Sequence, residues 1–132
     1  MSNDEIREDL RYTKDHEWTR EDNGAHVIGI TAFAVSQLGD ITLVNIDLDE
    51  GDEIEAGKPF GTVESVKTLA DLFAPISGKL VRVNRELEEE PERVNDDCYG
   101  EGWMVAIEPS DKSQIEDLLD ASAYRTLLAE SH

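Results

Sequence analysis

The stretch Gly61-Thr-Val-Glu-Ser-Val-Lys67-Thr-Leu-Ala-Asp71-Leu-Phe-Ala-Pro-Ile-Ser-Gly78 sets one lysine midway between two strand-like runs. In the first run, 60–66, Val63 stands between the polar Thr62 and Glu64, the alternation of a half-buried strand. The second, 69–74, is apolar apart from Asp71 and stops at Pro75, which has no N–H to give a ladder. Two short strands meeting at a tight polar tip predict a β-hairpin with Lys67 at or next to the tip. Burial cannot stabilise a lysine there. Glu64 and Asp71, one on each arm, favour its protonated form, whereas a Schiff-base lysine needs a depressed pKa. An activated amine is therefore disfavoured. Two uses remain open on physical grounds: ordinary surface decoration, or a side chain presented on a rigid platform for modification.

Working outward, turn residues divide the chain into short pieces. Asn23-Gly24 predicts a hairpin turn between 12–19 and 25–30, because both residues tolerate positive φ. Thr31 suits the N-cap of a short helix over 32–38 that closes at Gly39. A β-branched strand follows over 40–48, turned by Glu50-Gly51-Asp52, and Glu53-Ile54 starts another extended piece cut at Gly57. Beyond the hairpin, 78–84 alternates as a strand with Leu80 and Arg82 on one face and Val81 and Val83 on the other. Residues 86–97 form a charged excursion in which Pro91 starts one helical turn. Gly100-Glu-Gly-Trp103 leads into a last strand over 104–107. The tail predicts two helices, 113–119 and 121–130, with Asp120 capping the second. Leu118, Leu119, Tyr124, Leu127 and Leu128 give them apolar stripes that can pack on a sheet. Gly57 and Gly78 punctuate the chain at comparable distances from Lys67, a loose echo of two interlocked halves. Many short strands with few helices imply a compact β-sandwich or barrel.

With 132 residues the chain is expected to form one domain. Its 31 acidic and 12 basic side chains give a net charge of −19. That excess argues against nucleic acid and against an anionic membrane surface, both of which need cations. Partners with basic docking faces are favoured, since opposite fields raise encounter rates. The simpler reading, that the charge only prevents association, has equal standing. No apolar run reaches the roughly 20 residues of a membrane span. The N-terminal ten residues are acidic, unlike a secretory signal or an arginine-rich transit peptide.

Catalytic constellations are thin. Cys98 is the only cysteine, which excludes an internal disulfide and fits a reducing compartment. Asp96 and Asp97 precede it and disfavour the thiolate. His16, His26 and His132 lack metal-ligand spacing, and His16 reads as a strand-edge or structural histidine. No phosphate loop, serine elbow or EF-hand rhythm occurs, and pairs such as Asp47-Asp49 read as solvated faces. The chain offers no self-contained active site.

Several segments together carry a resemblance to a known family: Tyr12-Thr-Lys-Asp-His16-Glu-Trp18, Ile28-Gly-Ile-Thr31, Gln37-Leu-Gly-Asp40-Ile41, Pro59-Phe-Gly61, Val63-Glu-Ser-Val-Lys67, Ala74-Pro75, Ser77-Gly78, Val83-Asn84, Asn95 and Tyr99-Gly-Glu-Gly-Trp103. Spread over about residues 11–130, they resemble the H proteins of the glycine cleavage system, which are lipoyl-bearing carriers. The resemblance implies a mainly β barrel-sandwich hybrid of the lipoyl/biotinyl type, with a short inserted helix and C-terminal helices. It implies a flexible lead-in over 1–10 and a single carrier domain over 11–132. Lipoate would be held in amide linkage on Lys67, with Glu64, Ser65, Val66 and Asp71 forming the recognition surround. The chain would have no catalytic residue and no metal ligand of its own. It would shuttle the aminomethyl group of glycine from the pyridoxal-phosphate decarboxylase (P protein) to the aminomethyltransferase (T protein). Dihydrolipoyl dehydrogenase (L protein) would reoxidise it, and a lipoate ligase or octanoyltransferase would load it. A cytoplasmic monomer is expected. Rival readings are a lipoyl-relay protein donating lipoate to other complexes, and a lipoyl or biotinyl domain of a larger system. Biotin carriers place methionines beside the lysine, where this chain has Val66 and Thr68. Acyltransferase lipoyl domains run into Ala/Pro-rich linkers, and here helices follow.

Overall fold

In the computed structural model, which describes residues 6–130, the first expected strand is two. Thr13 Oγ1 accepts the N–H groups of Asp15 and Glu17 at 3.2 Å each, and His16 takes a φ of 68°. This local turn competes with an extended run. It folds β1 (Arg11–Tyr12) back on β2 (Glu17–Asp22) as an antiparallel pair. Asn23 (φ 55°) and Gly24 (φ 88°) then form the predicted turn into β3 (Ala25–Ile30). The expected helix α1 (Ala32–Leu38) follows, with Thr31 Oγ1 accepting the Ala34 N–H.

The remaining elements are β4 (Ile41–Ile46), β5 (Glu53–Ile54), β6 (Pro59–Ser65), β7 (Leu69–Phe73), β8 (Gly78–Val83), α2 (Glu86–Glu89), α3 (Arg93–Asp96), β9 (Val105–Pro109), α4 (Ser113–Glu116) and α5 (Ala121–Glu130). Six strands form one sheet in the order β1-β2-β3-β9-β8-β5, and three form another in the order β4-β6-β7. An aliphatic core that includes Ile28, Val44, Phe60, Val63, Leu72, Leu80 and Ile107 lies between them. A second, aromatic cluster holds Tyr12, Trp18, Tyr99 and Tyr124 with Val27 and Ala106. Tyr12 and Tyr124 stack there at 4.4 Å with parallel rings, so α5 is fastened to the sheet by its apolar stripe. Asp120 caps α5 as expected, accepting the Ala123 N–H at 2.8 Å.

Three further expectations change. In β8, Leu80 faces Ile107 and Arg82 faces Ala106, so a bulge falls at Val81. The extra residue resets the alternation, and Leu80 is buried while Arg82 is exposed instead of sharing its face. The charged excursion has two helical turns, α2 and α3, anchored by buried Leu87 and Val94 on either side of Pro91. Helix α4 ends at Glu116 because Leu119 exchanges both backbone hydrogen bonds with Tyr12. Residues 1–5 of the expected lead-in lie outside the described residues. Of the rest, Leu10 is buried in the aromatic cluster, and the Arg7 backbone exchanges hydrogen bonds with the Tyr12 hydroxyl.

Strand β4 lies at the edge of its sheet, with one side open to stray pairing. Arg85 covers that side at one end and Asn95 of the charged excursion at the other. Asn95 Nδ2 donates to the Gly39 carbonyl (3.0 Å), and its Oδ1 accepts the Ile41 N–H (2.8 Å). Arg85 donates to the carbonyls of Ile46 (3.2 Å) and Leu48 (2.9 Å) and pairs with Asp49.

Candidate functional site

Strands β6 and β7 pair in register up to Glu64↔Leu69, and the Ser65 N–H closes the hairpin on the Thr68 carbonyl at 2.8 Å. Val66 and Lys67 are therefore the two residues of the tip. Ser65 is half-buried, and its Oγ accepts the N–H groups of Lys67 (3.1 Å) and Thr68 (3.2 Å). The Val66 N–H donates to the Asp40 carbonyl at 3.0 Å. Both tip residues and Thr68 thus have their backbone donors engaged while the lysine side chain is exposed. Gly39, with φ 79°, lies beneath them: a Cβ there would be 3.5 Å from Lys67 Cε and 3.7 Å from Val66 Cγ2. A left-handed residue without a side chain lets α1 end under the lysine stem.

The outer face of the three-stranded sheet carries the other expected site residues. Glu64 stands between Leu43 and Leu69 in one row, and Asp71 follows in the next row beside Thr62 and Asn45. Leu43, Val66 and Leu69 are the exposed large hydrophobics among the described residues, and all three surround the lysine end. Neither Glu64 nor Asp71 makes an ion pair with Lys67 among the described residues.

A cleft of about 180 Å³ opens beside the hairpin, between α1, the turn before β2, and β7. Its walls include Ile30, Leu38, Val63 and Leu72, with Asp15, Glu17 and Asp71 also among the lining residues. Glu17 is buried; its Oε2 accepts the Phe73 N–H (2.9 Å) and its Oε1 the Thr13 hydroxyl (3.3 Å). Burial pushes its carboxyl up to about 8, with those two hydrogen bonds pulling the other way. His16, half-buried in the same lining, packs on Phe33 at 4.7 Å, and its Nδ1 is 2.9 Å from the Tyr124 hydroxyl. Desolvation lowers its pKa, opposed by Asp15. The Tyr124 hydroxyl also meets Thr31 Oγ1 at 2.8 Å, so α5, the cap of α1 and the cleft share one polar chain.

Sequence reasoning singled out Lys67 and its flanks but not Glu17, Asp40 or Asn95, which the structure places around the same hairpin. Glu17 and Trp18 are adjacent in a strand and both buried, so alternation gives no signal for the first. Asn95 sits in an acidic helical turn that reads as surface. Cys98 is half-buried, with its carbonyl accepting the Trp18 Nε1–H at 3.0 Å, apart from the hairpin. Among the described residues no three His, Cys, Asp or Glu side chains group as metal ligands, and no helix is long and apolar enough to cross a membrane.

Comparison with known proteins agrees with this geometry. The family described as Glycine cleavage H-protein matches residues 10–131. A Glycine cleavage system H protein of Anaeromyxobacter sp. (strain K) is 52% identical over 126 residues, 96% of this chain and 98% of the relative. One from Halalkalibacterium halodurans is 48% identical over 130 residues, 98% of this chain and 99% of the relative. The crystal structure of a glycine cleavage system H protein from Mycobacterium marinum superposes with a TM-score of 0.86 at 37% identity, covering 94% of this chain and 99% of that one. The chain belongs to the glycine cleavage H-protein family and has its barrel-sandwich fold.

Proposed function

We propose that this chain is the lipoylated carrier of a glycine cleavage system and that Lys67 is the residue that holds the lipoyl group. The observation that supports Lys67 is the tip itself: an exposed amine on a backbone whose N–H groups are engaged by Ser65 and Asp40. Such a tip offers a modifying enzyme one fixed shape at little ordering cost. Amide formation at Nζ removes the ammonium charge, so Glu64 and Asp71 serve recognition. When bound, the lipoyl group supplies the disulfide–dithiol chemistry that takes up and releases the aminomethyl group; the protein supplies placement. The cleft beside the hairpin has apolar walls, including Ile30, Leu38 and Val63, that suit the hydrocarbon part of a lipoyl arm, and the buried acid Glu17 is among its lining residues.

On this reading the chain is not itself an enzyme. Its partners are the glycine decarboxylase, the aminomethyltransferase, dihydrolipoyl dehydrogenase and a lipoate ligase or octanoyltransferase, met as a cytoplasmic monomer. The test uses the full chain from cells supplied with lipoate. Intact mass should show one lipoyl increment on the parent and none on Lys67→Arg. Only the parent should support glycine–carbon dioxide exchange with the decarboxylase, at equal thermal midpoints. A parent without the increment, or an arginine variant that still supports exchange, would sink the assignment.

A further inference from the structure

We infer that Asn95 is a positioning residue for Lys67, acting through residues 39–41 to set how the lysine is presented to the enzyme that acylates it. This rests on the assignment of Lys67 as the lipoyl site. The Asn95 amide donates to the Gly39 carbonyl and accepts from the Ile41 N–H. In extended chain, the carbonyl of one residue and the N–H two residues on face the same edge. One primary amide therefore replaces a missing neighbouring strand across Asp40. The carbonyl of Asp40 itself accepts the Val66 N–H at 3.0 Å. The segment is held on one side by Asn95 and holds the lysine tip on the other.

The second link is steric. The Lys67 stem and the Val66 side chain lie over Gly39, the residue whose carbonyl Asn95 holds. A shift of the 39–41 segment moves both the hydrogen-bond anchor of the tip and the floor beneath the lysine. Asn95 is itself fixed, because its neighbour Val94 is fully buried in the aliphatic core. Arg85 gives the matched contrast. It covers the same open edge of β4, at the end remote from the 39–41 segment, through Ile46 and Leu48. Loss of either residue uncovers part of the edge, but only loss of Asn95 loosens the tip.

The consequence falls on recognition. When a tip is competent only part of the time, apparent affinity falls by that fraction, while the bound complex reacts as before. The experiment uses the full unlipoylated chain with lipoate ligase, lipoate and ATP. Asn95→Ala should raise the KM for the protein about tenfold, with kcat within about twofold of the parent. Asn95→Asp keeps the acceptor for Ile41 and loses the donor to Gly39, so it should fall between the two. Exchange of the Val66 amide should accelerate in the same order. Arg85→Met should lower the thermal midpoint much as Asn95→Ala does and leave KM unchanged. Equal KM values for Asn95→Ala and the parent, or a KM rise matched by Arg85→Met, would overturn the inference. Should Asn95→Ala fail to fold, Asn95→Asp is judged by the same criteria. A parent that takes up no lipoyl group would refute the Lys67 assignment instead, and Val66 exchange would still decide the clamp.

Discussion

The lysine hairpin and the aromatic cluster under α5 are built on opposite terms. The tip leaves Val66 67% exposed and Leu69 60% exposed, and its order comes from backbone bonds to Ser65 and Asp40. In the cluster, Tyr12, Trp18 and Tyr124 are completely buried. One region leaves its side chains exposed and takes its shape from hydrogen bonds. The other uses its side chains to hold the sheet and has nothing to present. If the tip is the attachment point proposed above, stability is concentrated away from the tether, and the tip side chains are free of packing duties.

The sharpest way to break this division is to strike the cluster. Trp18 lies tilted against Tyr99 with ring centroids 6.0 Å apart, donates its Nε1–H to the Cys98 carbonyl, lies under the Arg20 guanidinium at 5.2 Å and packs closely over Gly29. Trp18→Ala should cost about 3–5 kcal/mol, a large share of the roughly 5–15 kcal/mol that holds a domain of this size. Denaturant unfolding would read it. Trp18→Phe keeps most of the apolar area and loses the hydrogen bond, so it should cost less and remain folded. If its tip then accepts lipoate with the parent's KM, the two regions are separable; a large KM change would show that they are coupled.

The sequence made the hairpin legible because its information is local: alternation in 60–66, the punctuation at Pro75, and a lone lysine between. Asn23-Gly24, the Thr31 cap and the Asp120 cap were legible for the same reason, each being a residue type demanded by its own backbone. What was not legible depends on partners distant along the chain. The bulge at Val81 exists because β9 must pair with β8 on both sides of it, and no residue type announces it. Leu119 leaves its helix for Tyr12, and Asn95 finds Gly39, more than fifty residues away in each case. Glu17 is the same kind of case: its burial follows from the Phe73 backbone closing over it. The fold class could be read; the clamp and the cleft acid could not.

Glu17 bridges the two regions and gives the next test. Its folded-state pKa of about 8 lies above the ordinary carboxyl value because burial penalises the charge. A raised pKa means that the folded state binds the proton more tightly than the unfolded one. The associated stability is fully present below the ordinary carboxyl range and is lost as pH rises through about 8. Glu17→Gln resembles the neutral acid and can still accept from Phe73 and donate to Thr13. The two proteins should therefore unfold alike near pH 5 and diverge by pH 9, with the glutamine form the more stable by a few kcal/mol on the order set by linkage. Parallel stability curves across that range would show that the carboxyl is already ionised in the fold. In that case the cleft already holds a charge able to receive an ammonium.

The smallest effect is expected at the junction of α5 with the cleft. Tyr124→Phe keeps the ring stacked on Tyr12 and deletes only the hydroxyl that meets His16 Nδ1 and Thr31 Oγ1. Thr31 retains a role at the α1 cap through the Ala34 N–H, so the loss centres on the half-buried His16. About 1 kcal/mol of stability should disappear, within the range for one hydrogen-bonded group left without its partner. His16 is displaced from its ordinary pKa mainly by desolvation. Its lowered value adds stability that is present above the ordinary histidine range and lost as pH falls through the folded-state pKa. Freed of Tyr124, the ring gains water, and its NMR-titrated pKa should move up toward the ordinary value. A hydroxyl deletion that left the His16 titration unmoved would mean that α5 only covers the sheet. A shift would mean that the helix also sets the electrostatics of the cleft beside the lysine hairpin.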